Sequence, residues 1–84
     1  MKLLPKIKIR EEQFGLLLFD KEREKYFIAD AVGKDVLAAI QNATTVDEAV
    51  SQLSFKYEAK VEVIKQDVLY FIEELIRAGL MSQQ

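Results

Sequence analysis

Apolar positions along the chain alternate at first and later recur at helical spacing, so the sequence divides into two halves. Lys6–Glu11, "KIKIRE", places Ile7 and Ile9 on one side and Lys6, Lys8 and Arg10 on the other. That is the pattern of a strand with one wet face. Phe14–Asp20, "FGLLLFD", is almost continuously apolar, which predicts a strand between neighbours or covered on both faces. Gly15 inside it predicts a bulge or a close backbone approach. The charged stretch "DKERE", residues 20–24, reads as a solvated hairpin loop, and Lys25–Ala29 as a third strand. Three strands joined by such short links form an antiparallel meander.

From Asp30 onward the period changes. Asp30 is an N-cap residue whose carboxylate can accept from the free amides of a first helical turn. The helix it opens spans residues 31–41 and buries Val32, Val36, Leu37 and Ile40. Asn42 is expected in a left-handed end position. "TVDE", residues 45–48, is a capping box with Thr45 as cap and Glu48 reaching back. A second helix follows over 46–57, burying Val46, Ala49, Val50 and Leu53, with Phe55 and Tyr57 closing the next turn. A third helix over 61–78 carries the stripe Ile64, Val68, Phe71, Ile72, Leu75 and Ile76. Gly79 follows as its terminating residue and Leu80 folds back on the last turn. Strands followed by helices predict an α+β fold with segregated helices. The 84 residues are expected to form a single domain over 1–84.

Composition narrows the chemistry. The chain has no Cys and no His. A thiolate site, a Cys nucleophile, the commonest general base and the commonest metal ligand are therefore absent. No Gly-rich phosphate loop or metal-ligand spacing is present, so neither catalysis nor a cofactor or metal is expected. Residues 1–29 carry seven Lys/Arg against five Asp/Glu, and residues 30–84 carry five against nine. The helical half is the acidic half, which argues against a nucleic-acid backbone as partner. The opening "MKLLPKIKIREE" lacks the apolar stretch of a signal peptide. Runs such as "LLLF" are far too short to span a bilayer. A soluble, cytoplasmic protein is the expectation.

Several segments together carry a resemblance: "PKIKIREEQFGLLLFD", "KYFIADAVGKDVL", "ATTVDEAVSQL" and "VIKQDVLYFIEELIRAGLM". In order and spacing the chain resembles the PqqD-like family, the recognition elements of ribosomally made, modified peptides. The matching positions are Phe14, Gly15, Leu17, Leu18 and Asp20, then Tyr26, Phe27 and Ile28. Thr45, Val46 and Glu48 follow, and the last set is Asp67, Val68, Phe71, Ile72, Leu75, Gly79 and Leu80. Ala29 stands where the family often has Asn, and Asn42-Ala43 where it has an Asp-Gly turn. The resemblance implies a winged-helix-like βββααα fold and a non-catalytic role. The family holds the leader segment of a precursor peptide and presents it to a modifying enzyme, often a radical SAM enzyme. It implies that the leader adds as a strand to the third strand, beside the third helix.

"KYFIA" has one charge and no Pro, so as an edge strand it is poorly blunted. A peptide pairing along it gains main-chain hydrogen bonds, and its specificity must come from side-chain pockets beside the edge. The expected binding residues are Lys25, Tyr26, Phe27, Ile28 and Ala29 on the strand, with Val63, Asp67, Tyr70, Phe71 and Glu74 on the third helix. Two orientations of the strand stand open. Either Tyr26 and Ile28 face the core and Phe27 walls the groove, or Phe27 is core and its neighbours face out. Three rivals are weighed against peptide capture. A DNA-binding winged helix would need basic and amide side chains on a helix that here carries Glu62, Asp67, Glu73 and Glu74. An interaction module or homodimer would use the same edge across a two-fold axis, making the protein a monomer or a weak dimer. An enzyme would need a cleft with acid/base groups.

Overall fold

The computed structural model describes residues 1–82. Strands β1 (Ile7–Glu12), β2 (Gly15–Asp20) and β3 (Lys25–Asp30) precede helices α1 (Ala31–Asn42), α2 (Val46–Tyr57) and α3 (Val61–Arg77). The strands form one antiparallel sheet in the order β1-β2-β3. The expected α+β architecture, three strands and then three helices, is present, and most element ends fall within a residue of expectation.

The register assigns the faces. Ile7↔Asp20↔Lys25, Ile9↔Leu18↔Phe27 and Glu11↔Leu16↔Ala29 share the face turned to the helices. Leu16, Leu18 and Ala29 are buried there. The opposite face carries Lys8, Phe19 and Tyr26 in one row and Arg10, Leu17 and Ile28 in the next. Tyr26 and Ile28 are therefore exposed, and Phe27 is half-buried against the core. Of the two open orientations the second is found. A single-residue shift of register would exchange the faces, and Leu18 opposite Phe27 fixes it. Among the described residues no further layer covers the outer face, so β2 is apolar because it is central, with Phe19 stacked obliquely on Tyr26 at 4.7 Å.

Gly15 sits at φ +146°, and a Cβ there would lie 2.1 Å from the Ala29 carbonyl oxygen. The close approach expected of this glycine is what joins β2 to β3. The helix caps follow the sequence closely. Asp30 accepts from the Gly33 amide at 2.8 Å. Thr45 accepts from the Glu48 amide at 3.1 Å. The end of α3 is a full Schellman motif: Gly79 N donates to Ile76 O at 3.0 Å and Leu80 N to Leu75 O at 2.9 Å, with Gly79 at φ +79°.

Other expectations are corrected. Ile9 is half-exposed because β1 is an edge strand and α1 packs on β2 and β3 instead. Asn42 is still helical and the chain leaves through an extended Ala43, so no left-handed residue ends α1. The left-handed cap belongs to Glu58, after α2. Val32 is exposed and does not join the α1 stripe. Phe55, 89% exposed, closes no turn. "DKERE" is more than a solvated loop. Asp20 is buried, accepts from the amides of Glu22 and Arg23 at 3.1 and 3.3 Å, and pairs with Lys6 at 3.3 Å. Arg23 donates to the Ala78 carbonyl at 3.3 Å, tying the hairpin to the end of α3. The N-terminal segment, to which the sequence reading assigned nothing, forms a bridge from Leu3 to Met81 and a bond from Leu4 N to Leu80 O at 2.9 Å.

Candidate functional site

β1 and β3 are both edge strands, but they differ. β1 carries Lys8, Arg10, Glu11 and Glu12 among six residues, and such charge discourages further pairing. In β3 the only charges are Lys25 and Asp30, at its ends. Its centre, Tyr26 to Ala29, is an uncharged and unpaired backbone edge.

Beside that edge runs a groove of about 360 Å³. Phe27 to Asp30 of β3 form one wall, and Asp67, Tyr70, Phe71 and Glu74 of α3 the other. Val32, Gly33 and Val36 of α1 form the floor. Phe27 and Phe71 meet edge to face across its base, centroids 6.3 Å apart. Gly33 lets the first turn of α1 come this near, since a Cβ there would lie 3.1 Å from the Ala29 Cβ and 3.4 Å from Phe71 Cε1. Core and groove lie on the same side of the sheet. The helices cover only part of that face, so Phe27 serves both.

Asp30, Asp67 and Glu74 line the groove, and no Lys or Arg does. Among the described residues none of these three carboxylates is in an ion pair. The groove therefore presents uncompensated negative charge over an aromatic base.

Of the expected binding residues, Phe27, Ile28, Ala29, Asp67, Tyr70, Phe71 and Glu74 come together here. Lys25 and Tyr26 lie on the same strand but outside the groove, with Tyr26 on the outer face beside Lys8, Arg10 and Phe19. Val63 lies one stretch further along α3, in a neighbouring pocket. The sequence reading missed Val32, Gly33 and Val36. Val32 and Val36 have the spacing of the α1 stripe, and nothing in the sequence separates a lining residue from a core one at those positions. Among the described residues no cluster of acidic side chains is suited to hold a metal ion, and no helix is long and apolar enough to cross a membrane.

Two solved structures share the fold. TbiB1 in complex with the TbiA(beta) leader peptide is 19% identical with a TM-score of 0.88, covering 100% of this chain and 98% of that one. A lasso peptide synthetase B1 complexed with the leader peptide is 16% identical with a TM-score of 0.85, covering 94% and 93%. No curated protein matches the sequence. The family model of coenzyme PQQ synthesis protein D matches residues 15–81. That span runs from the close approach at Gly15, through both walls of the groove, to the turn after Gly79, and the chain belongs to the PqqD family.

Proposed function

We propose that this protein is a non-catalytic peptide carrier. It captures the leader segment of a ribosomally made precursor peptide by strand addition to β3 and presents it to a modifying enzyme, a radical SAM enzyme in the pattern of the family. The observation that carries the reading is the unblunted β3 edge lying directly beside a lined groove. Main-chain pairing along Tyr26–Ala29 supplies affinity, and the groove reads alternate side chains. Phe27, Tyr70 and Phe71 offer apolar contact. Asp67 and Glu74 favour a leader with a basic residue among those facing α3. Two solved neighbours with this fold hold leader peptides, which supports the same use here.

The test is titration of isotope-labelled protein with a synthetic leader segment of the precursor peptide encoded beside its gene. Amide shifts concentrated on residues 25–30 and 67–74 are the expected result. An unchanged spectrum at high excess, with the fold intact, overturns the assignment of that leader. Sedimentation of the free protein then tests self-association through the same edge.

A further inference from the structure

The two walls of the groove stand well apart. No Cα of β3 lies within 8 Å of a Cα of α3. Phe27 and Phe71 meet across the base, and the first turn of α1, with Gly33 against Ala29 and Phe71, holds the Asp30 end. At the Lys25 end the walls are tied by Arg23. This residue stands two positions before β3 and donates from Nη1 to the Ala78 carbonyl, one helical turn beyond Glu74.

The tie is built from both sides. In the hairpin, buried Asp20 accepts from the Arg23 amide through one carboxylate oxygen and pairs with Lys6 through the other. Glu24, next in the chain, takes a left-handed φ of +54°, which residues with side chains rarely adopt. At the helix end, the guanidinium fills the space that a side chain at position 79 would need: a Cβ on Gly79 would lie 1.9 Å from Arg23 Nη1. Gly79 therefore serves twice, as the left-handed residue after α3 and as the seat of Arg23. The Ala78 carbonyl belongs to the end of α3, where carbonyls run out of helical partners and the helix dipole favours a cation.

We propose that Arg23 is a positioning residue for leader capture: it holds the β3 and α3 walls at the separation an added strand needs. The role rests on the strand-addition reading and extends it to a residue outside the groove. A peptide paired with β3 must also fit its side chains against α3, so it binds only those states in which the α3 wall stands at the right distance. Without a tie at the Lys25 end, the groove is free to widen there. Apparent affinity then falls in proportion to the fraction of molecules that remain competent. A groove held open at the right width also spares ordering at the moment of binding. Arg suits this place better than Lys, because a planar fork can lie against the Gly79 backbone while it donates.

The chain has no Cys, so spin labels placed through Lys25→Cys and Glu73→Cys report the distance between the walls. That distance is measured with Arg23 in place and in Arg23→Met, which keeps an unbranched stem and removes the guanidinium. Calorimetric titration of the unlabelled proteins with the synthetic leader segment encoded beside the gene gives the affinity. Free Arg23→Met should show a broader distance distribution, which saturating leader narrows to that of wild type. It should bind the leader about twofold to tenfold more weakly, the range of one hydrogen bond's net contribution. A purely structural tie would lower the unfolding midpoint and move neither the distances nor the affinity, and that result overturns the proposal. A broader distribution with unchanged affinity overturns it as well. A wild-type protein that takes up no leader, with its fold intact, overturns strand addition itself and the role with it. Arg23→Lys, which keeps the cation and loses the fork, should fall between wild type and Arg23→Met, and it carries the comparison if Arg23→Met does not fold.

Discussion

Phe27 on β3 and Phe71 on α3 stand edge to face with ring centroids 6.3 Å apart and planes at 77°. An aromatic pair in this geometry contributes about 0.5–1.5 kcal/mol beyond the area it buries. It is the only aromatic ring contact, among the described residues, that joins the sheet to a helix. It also forms the base of the groove, so fold and function share one contact. Phe27→Ala is expected to weaken leader binding by about 1–3 kcal/mol, as for a central anchor. The same change should cost about 1–3 kcal/mol of stability, less than truncation of a fully buried ring. Urea unfolding and calorimetric titration of the variant separate the two effects. Unchanged stability would contradict the packing role, and unchanged affinity would contradict the anchor.

Edge pairing makes a different demand. Ile28 is 66% exposed, and its side chain points to the outer face of the sheet. Ile28→Lys should leave stability within about 0.5 kcal/mol of wild type, as exposed substitutions usually do. It adds a charge to the centre of the edge, the device by which natural edges resist pairing. Leader affinity should fall with no change in the unfolding curve. Any self-association through β3 should fall in parallel, and sedimentation of wild type and variant reads it.

The charge in the groove sets a salt dependence. Asp67 and Glu74 are separated by two helical turns and have no cationic partner among the described residues. A leader carrying a basic residue should bind more weakly as salt rises through the range where screening shortens to about 8–10 Å. Asp67→Asn combined with Glu74→Gln should lower affinity by about 1 kcal/mol or less per contact and flatten the salt dependence. A slope unchanged by the double substitution would remove these residues from the contact.

Acid should weaken two carboxylate ties. Burial opposes ionisation of Asp20, but the Arg23 amide, the Lys6 ammonium and the Glu22 amide outweigh it and hold its carboxyl below the ordinary range. The Tyr57 hydroxyl, followed by Lys56, does the same for Asp35. A group whose folded value is depressed stabilises the protein above its unfolded value and loses that contribution as pH falls through the folded one. Stability is therefore expected to hold from neutral pH down to about 4, the ordinary Asp value, and to decline below it. Asp20→Asn should remove part of that decline. A wild-type curve that already falls between neutrality and that point would contradict the assignment.

Gly15 is the position least open to change. Its φ of +146° is one that side-chain-bearing residues rarely adopt, and a Cβ would overlap the Ala29 carbonyl. Gly15→Ala should destabilise by well over about 1 kcal/mol, since strain replaces the usual gain from stiffening the unfolded chain. Thermal unfolding measures it. A neutral result would mean that β2 and β3 separate at that end with little loss.

Local chemistry along the chain determined the element order, both side-chain N-caps, the Gly79 terminus and the close approach at Gly15. Each follows from a few neighbouring residues: a cap acts within one turn, and a missing Cβ matters where it stands. The period of the apolar positions likewise determined which residues of α3 face inward. The orientation of β3 was beyond such reasoning, because "KYFIA" is apolar on both faces and alternation cannot choose between them. Pairing chose it, by setting Phe27 opposite the fully buried Leu18. The roles of Val32, Asp20 and Arg23 were also decided in three dimensions. Val32 has the spacing of a core residue but lies where α1 meets the open edge. Asp20 has the look of a loop charge but is buried beside Lys6. Arg23 reaches a carbonyl 55 residues away. Periodicity reports which side of its own element a residue occupies, and only the packing of elements decides whether that side meets core, groove or water.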